Sequence, residues 1–103
     1  MKMNTKENNL IDLGFVNRLN DLPTELPVTN REKEILIHLA QGRTNKEISE
    51  QLILSPSTVR NHISSIFTKL RITNRSQATA IAIFAGLLEI KLDSPSLEEV
   101  KIA

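Results

Sequence analysis

From residue 29 onward the apolar positions recur every three or four residues, the period of amphipathic helices. The clearest run lies between Pro56 and Leu70. There Val59, Ile63, Ile66, Phe67 and Leu70 form a single apolar stripe. Ser55 supplies a capping hydroxyl, and Pro56 suits the first helical position, where its missing N–H would be unpaired anyway. The opposite side carries Ser57, Arg60, Asn61, Ser64, Ser65 and Thr68, with Lys69 at its border and no acid. A solvated helix face ordinarily mixes Glu with Lys. Short hydrogen-bonding residues plus Arg suit contact with something polar and negative, and the pattern reads as a helix for the major groove of DNA.

Three further helices are expected, each with an oxygen-bearing cap three residues before a Glu or Gln. Thr29 with Glu32 and Thr44 with Glu47 are strict capping boxes, and Asn74 with Gln77 is a looser one. The first helix runs from about Asn30 to Gln41, buries Ile35, Leu36, Leu39 and Ala40, and stops at Gly42. The second starts after Thr44 and buries Ile48 and Leu52. Only Ile53 and Leu54 separate it from the cap at Ser55, and so short a connection forces a steep crossing, the helix-turn-helix arrangement. Ile53 is β-branched, so this turn is expected to avoid the left-handed conformation.

The last helix spans about Arg75 to Ala85. Its face Ala78, Ile81, Ala82 and Ala85 suffices for the core, which leaves Ala80, Ile83, Phe84 and Leu87 pointing outward as a candidate dimer interface. The alternative cover for that face is residues 10–22 or the C-terminal tail folding back. Residues 10–22 themselves are weakly amphipathic and read as a short helix, which Gly14 disfavours, or as a loosely packed linker. Residues 1–9 are polar and expected to be disordered, and Ser94 and Pro95 open at most one helical turn in a frayed tail. The fold class expected is therefore all-α. A four-helix helix-turn-helix domain at residues 26–90 lies between a loosely structured N-terminal segment (1–25) and a C-terminal tail (91–103).

Charge sharpens the picture. The formal net charge is +1, yet residues 43–75 hold six bases against two acids, and the remainder holds seven bases against ten acids. That concentration of positive charge is a nucleic-acid footprint. The three aromatic residues are all Phe, too few for single-strand binding by base stacking. The absence of cysteine removes disulfides and thiolate metal sites and fits a cytoplasmic protein. No apolar run approaches membrane-spanning length, and the polar start lacks the apolar segment of a secretory signal.

From Leu26 to about Leu88 the chain resembles the LuxR/FixJ-type (GerE-like) helix-turn-helix domain of bacterial transcription regulators. The matching pieces are Leu-Pro-Val-Thr-Asn-Arg-Glu at 26–32, Gly-Arg-Thr-Asn-Lys-Glu-Ile at 42–48, Ser-Thr-Val-Arg-Asn-His-Ile at 57–63, Lys-Leu at 69–70 and Asn-Arg-Ser-Gln-Ala at 74–78. The resemblance implies a response-regulator-type effector domain that dimerises through its last helix and puts the third in the major groove. Carried over by position, Arg60, Asn61 and Ser64 are the base-reading candidates, with Ser57 on the same face. Thr44, Asn45 and Lys46 at the second helix, and Thr58 and Lys69 on the third, are the phosphate-facing candidates. Two departures stand out. Ile53 occupies a position where many members carry Gly, Asn or another residue, and nothing in residues 1–25 matches a sensory or receiver domain, which fits a stand-alone member or an excised effector domain.

The partners expected are double-stranded DNA, a second copy of the chain and, as a further candidate, RNA polymerase, with no membrane and no cofactor. His38 and His62 lie 24 positions apart without an acid cluster, so no metal site is expected. The serines lack a base and an orienting partner, and three glycines make no phosphate loop, so nothing points to an enzyme. The rival readings are a sigma-factor region-4-like promoter-binding module and a protein-interaction module on the same scaffold.

Overall fold

The computed structural model describes residues 12–89, and within them every regular element is a helix. The expectations for residues 1–9 and for the tail beyond Leu92 lie outside the described residues. The elements are α1 (Leu13–Leu19), α2 (Asn30–Ala40), α3 (Asn45–Leu52), α4 (Pro56–Leu70) and α5 (Arg75–Phe84). The last four are the helices read from the sequence, with ends displaced by no more than a residue, within the fraying of helix termini.

The caps decide those ends. Thr29 and Thr44 each accept the backbone N–H three residues on, and Glu32 and Glu47 reach back to the cap residue, closing both boxes. Asn74 accepts from Gln77 N–H at 2.9 Å. Ser55 accepts from Thr58 N–H at 3.1 Å, and Pro56 occupies the first turn of α4. Beyond α2, Gly42 takes φ +87°, where its lack of a Cβ allows the chain to leave the helix without strain.

One core gathers the helices. α2 packs chiefly on α5 and also on α4, and α4 packs in turn on α3. Ile35, Leu36 and Leu39 from α2, Ile48 from α3, Val59, Ile66 and Leu70 from α4, and Ala78, Ile81 and Ala82 from α5 are all buried. Burying each large aliphatic side chain stabilises the fold by about 1.5–3 kcal/mol. That apolar stripe is what turns the polar side of α4 outward. Ile63 and Phe67 pack on the margin of this core, as do Leu52 and Ala40.

Three points go beyond or against the sequence expectations. First, Ile53 does adopt the left-handed conformation, at φ 55° and ψ 53°. The reason is the helix end: this turn lets the N–H groups of both Ile53 and Leu54 reach the Ser49 carbonyl, the latter at 2.9 Å, and seats Leu54 against the core. Those gains offset the roughly 1–2 kcal/mol that an L-residue loses in this region.

Second, of the two readings of residues 10–22, the structure shows the short helix, at residues 13–19 and packed on the core. Asp12 caps α1 by accepting from Phe15 N–H at 3.1 Å, and Phe15 enters the core. Arg18 lies over the Phe15 ring and donates to the carbonyls of Leu70 and Arg71, at 2.9 Å for the second. A cation there complements the negative end of the α4 dipole.

Third, the outer face of α5 is narrower than expected. Ala80 and Leu87 pack against the core margin and Ile83 is half-buried, which leaves Phe84, 57% exposed, as the open apolar residue of that helix.

Candidate nucleic-acid interface

The three-residue turn Ile53 to Ser55 joins the end of α3 to the start of α4. On α4, Ser57, Arg60, Asn61 and Ser64 are exposed. Among the described residues the side chains of Arg60, Asn61 and Ser64 make no hydrogen bond or ion pair, so the face stands open. Ser57 shares a 3.2 Å hydroxyl contact with Ser55, and Ser55 also donates to Thr58 Oγ1 at 2.9 Å. No acid lies on that face, and it keeps the positive character of residues 43–75.

At the start of α3, Thr44 is held in its capping box and Lys46 extends into solvent, with Glu50 3.9 Å away. An exposed pair at that distance holds neither side chain firmly. Asn45 is half-buried, and its Oδ1 accepts from the Arg75 guanidinium at 3.1 Å, while the same guanidinium donates to the Arg43 carbonyl at 2.8 Å. Arg75 therefore braces the start of α3 from the start of α5, a role with no local signal because the partners lie 30 and 32 positions apart. Arg75, one of the six bases of residues 43–75, thus turns its fork toward the start of α3.

Lys69 is the candidate whose surroundings differ most from expectation. Its ammonium lies 2.8 and 3.1 Å from the two oxygens of Glu32. Ser65, one turn earlier on α4, donates to the same carboxylate at 2.8 Å. Glu32 is 4% exposed and also caps α2 through Thr29 N–H at 2.9 Å. The hydrogen bond from Lys69 holds its carboxyl down at about 2, against the opposing effect of burial and with help from Thr29 and Ser65. This network pins α4 to the start of α2. Its sequence signal was present but ambiguous, since Glu32 is also the capping-box residue of α2.

His38 is held below its ordinary value by burial and then by the nearby Arg43, whose guanidinium lies 3.2 Å from Nδ1. No group of three or more His, Cys, Asp or Glu among the described residues is placed to hold a metal ion. No described helix is long and apolar enough to cross a membrane.

The chain is similar to known bacterial regulatory proteins. Residues 26–82 match the family described as GerE, bacterial regulatory proteins of the luxR family. The chain is 48% identical over 63 residues to the transcriptional regulatory protein LiaR of Bacillus subtilis (strain 168), a stretch covering 61% of this chain and 29% of LiaR. It is 37% identical over 82 residues to the transcriptional regulatory protein LnrK of the same organism, covering 80% of this chain and 36% of LnrK. It is 44% identical over 63 residues to the B. subtilis spore germination protein GerE, covering 61% of this chain and 85% of that protein. The chain thus spans about a third of LiaR and LnrK but most of the length of GerE.

Proposed function

The chain belongs to the luxR family of bacterial regulatory proteins, and from that membership we propose that it binds double-stranded DNA sequence-specifically and regulates transcription as a homodimer. In this reading α4 lies in the major groove. Arg60 and Asn61 have the forked donor and acceptor geometry that suits guanine and adenine edges, with Ser57 and Ser64 beside them. Thr44, Asn45, Lys46 and Thr58 meet phosphates, helped by the N–H groups and dipole of the helix starts. Phosphate contacts provide most of the affinity and its salt dependence, and the α4 face provides the sequence preference. Lys69 acts through Glu32 and Ser65, keeping α4 at the angle that presents those side chains. The second copy meets the first across α5, through Phe84 and Ile83 with Ala80 and Leu87 at the margin. RNA polymerase is the further partner that a cytoplasmic transcription regulator would meet.

The observation that carries this reading is the open, acid-free face of α4, with Arg60, Asn61 and Ser64 exposed and unpaired among the described residues. Selection of bound sequences from a random duplex pool tests it. A repeated half-site is expected, and Arg60→Ala should relax the preference at one base pair by about 1–3 kcal/mol. A protein-interaction module on the same scaffold would instead shift no duplex even at low salt.

A further inference from the structure

Ile53 stands apart from everything else on the α3–α4 half of the molecule. It is 89% exposed, and its β-branched side chain sits on a left-handed backbone at φ 55°. Among the described residues the other exposed large hydrophobic side chains, Leu13, Val16 and Phe84, lie on α1 and α5. Glycine would adopt the same backbone without strain, and a polar residue would be the ordinary choice for an open turn. An exposed aliphatic group kept in an unfavourable conformation is the kind of outlier from which a functional hypothesis is drawn.

Its position is fixed from both sides. The N–H groups of Ile53 and Leu54 both bond the Ser49 carbonyl, Leu54 packs on the core, and Ser55 caps α4. The side chain is therefore held two residues ahead of the cap, at the end of α4 that carries Ser57, Arg60 and Asn61. In groove docking that N-terminal end is the part that meets base edges. Apart from the Pro56 ring, its exposed side chains are polar and suited to nitrogen and oxygen atoms. The apolar group that base pairs present in the major groove is the C5-methyl of thymine.

We propose that Ile53 is a specificity-determining residue that packs on the C5-methyl group of a thymine in each half-site, an inference that rests on the DNA-binding reading above. The test uses duplexes selected by the wild-type chain, with each thymidine replaced in turn by deoxyuridine, which deletes the methyl group alone. The wild type should lose roughly fourfold in affinity, the worth of one buried methyl group, at one thymine per half-site. Ile53→Gly should bind the thymidine and deoxyuridine duplexes alike at that position. It should also unfold at a higher temperature than the wild type, so a lost methyl response is not a lost fold. Ile53→Val should keep part of the response.

The proposal is overturned if no thymine shows the effect, or if Ile53→Gly retains it in full. It is also overturned if Ile53→Gly keeps the wild-type thymine response but no longer joins RNA polymerase on the duplex, because Ile53 would then face a protein. A wild type that shifts no duplex at low salt removes both readings together, whereas a wild type that binds selectively without a methyl response removes this one alone.

Discussion

A carboxylate buried in so small a core requires partners for both oxygens, and Glu32 has them in Thr29, Ser65 and Lys69. Its carboxyl is held at about 2, against an ordinary value of 4.5. A depressed carboxyl contributes stability that is complete above the unfolded value and lost as pH falls through the folded one. Denaturant unfolding of the wild type should therefore weaken between about pH 4.5 and 2, and Glu32→Gln should flatten that part of the profile. An unchanged acid limb in the variant would place the acid sensitivity elsewhere. The same network separates two lysines that look alike in sequence. Lys46→Ala should flatten the log–log salt dependence of DNA affinity by about one unit, as expected for one lost phosphate contact. Lys69→Ala should lower stability and sequence discrimination while leaving that slope in place. A slope change for Lys69→Ala equal to that for Lys46→Ala would return Lys69 to the phosphate set.

At the scale of elements, the proposed recognition surface depends on how α3 and α4 are held against their neighbours. α4 is tied to α2 through Glu32 and to α1 through Arg18. The start of α3 is tied to α5 through Arg75, which donates 2.8 and 3.1 Å hydrogen bonds to Arg43 and Asn45. Arg75→Ala should reduce duplex affinity, with helix content preserved, by at most about 1–3 kcal/mol, the usual worth of two lost hydrogen bonds. Arg75→Lys keeps the charge but loses the fork, so fluorescence anisotropy should show it falling with the alanine variant. Recovery by lysine would mean instead that Arg75 acts on DNA through its charge.

At the scale of the whole molecule, the proposed contact between two copies is tested at α5. α5 offers Phe84 as its exposed apolar residue, beside the half-buried Ile83. Phe84→Glu alters that surface without touching the core, so the monomer fold should survive. On a duplex with two half-sites the wild type should fill the second site about tenfold more readily than the first, an ordinary coupling energy. Phe84→Glu should lose that advantage while binding a single half-site as before. Equal cooperativity in titrations of the two proteins would move the contact off α5. LiaR and LnrK are roughly three times as long as the matched region.

Four of the helices were legible in the sequence because their determinants are local. A cap and its Glu or Gln stand three residues apart, and an apolar stripe repeats every three or four positions, so Thr29, Thr44, Ser55 and Asn74 mark their starts without reference to the fold. The acid-free face of α4 was legible for the same reason, since a helix start and a stripe together decide which side chains face outward. What the tertiary structure alone decided were the pairings across the chain. Lys69 and Glu32 are 37 positions apart, and Arg18 and Leu70 are 52. Whether such groups meet depends on how helices cross, which no periodicity encodes. The left-handed turn at Ile53 belongs with them: local preference opposed it, and the two bonds to Ser49 with the seating of Leu54 on the core outweighed that preference.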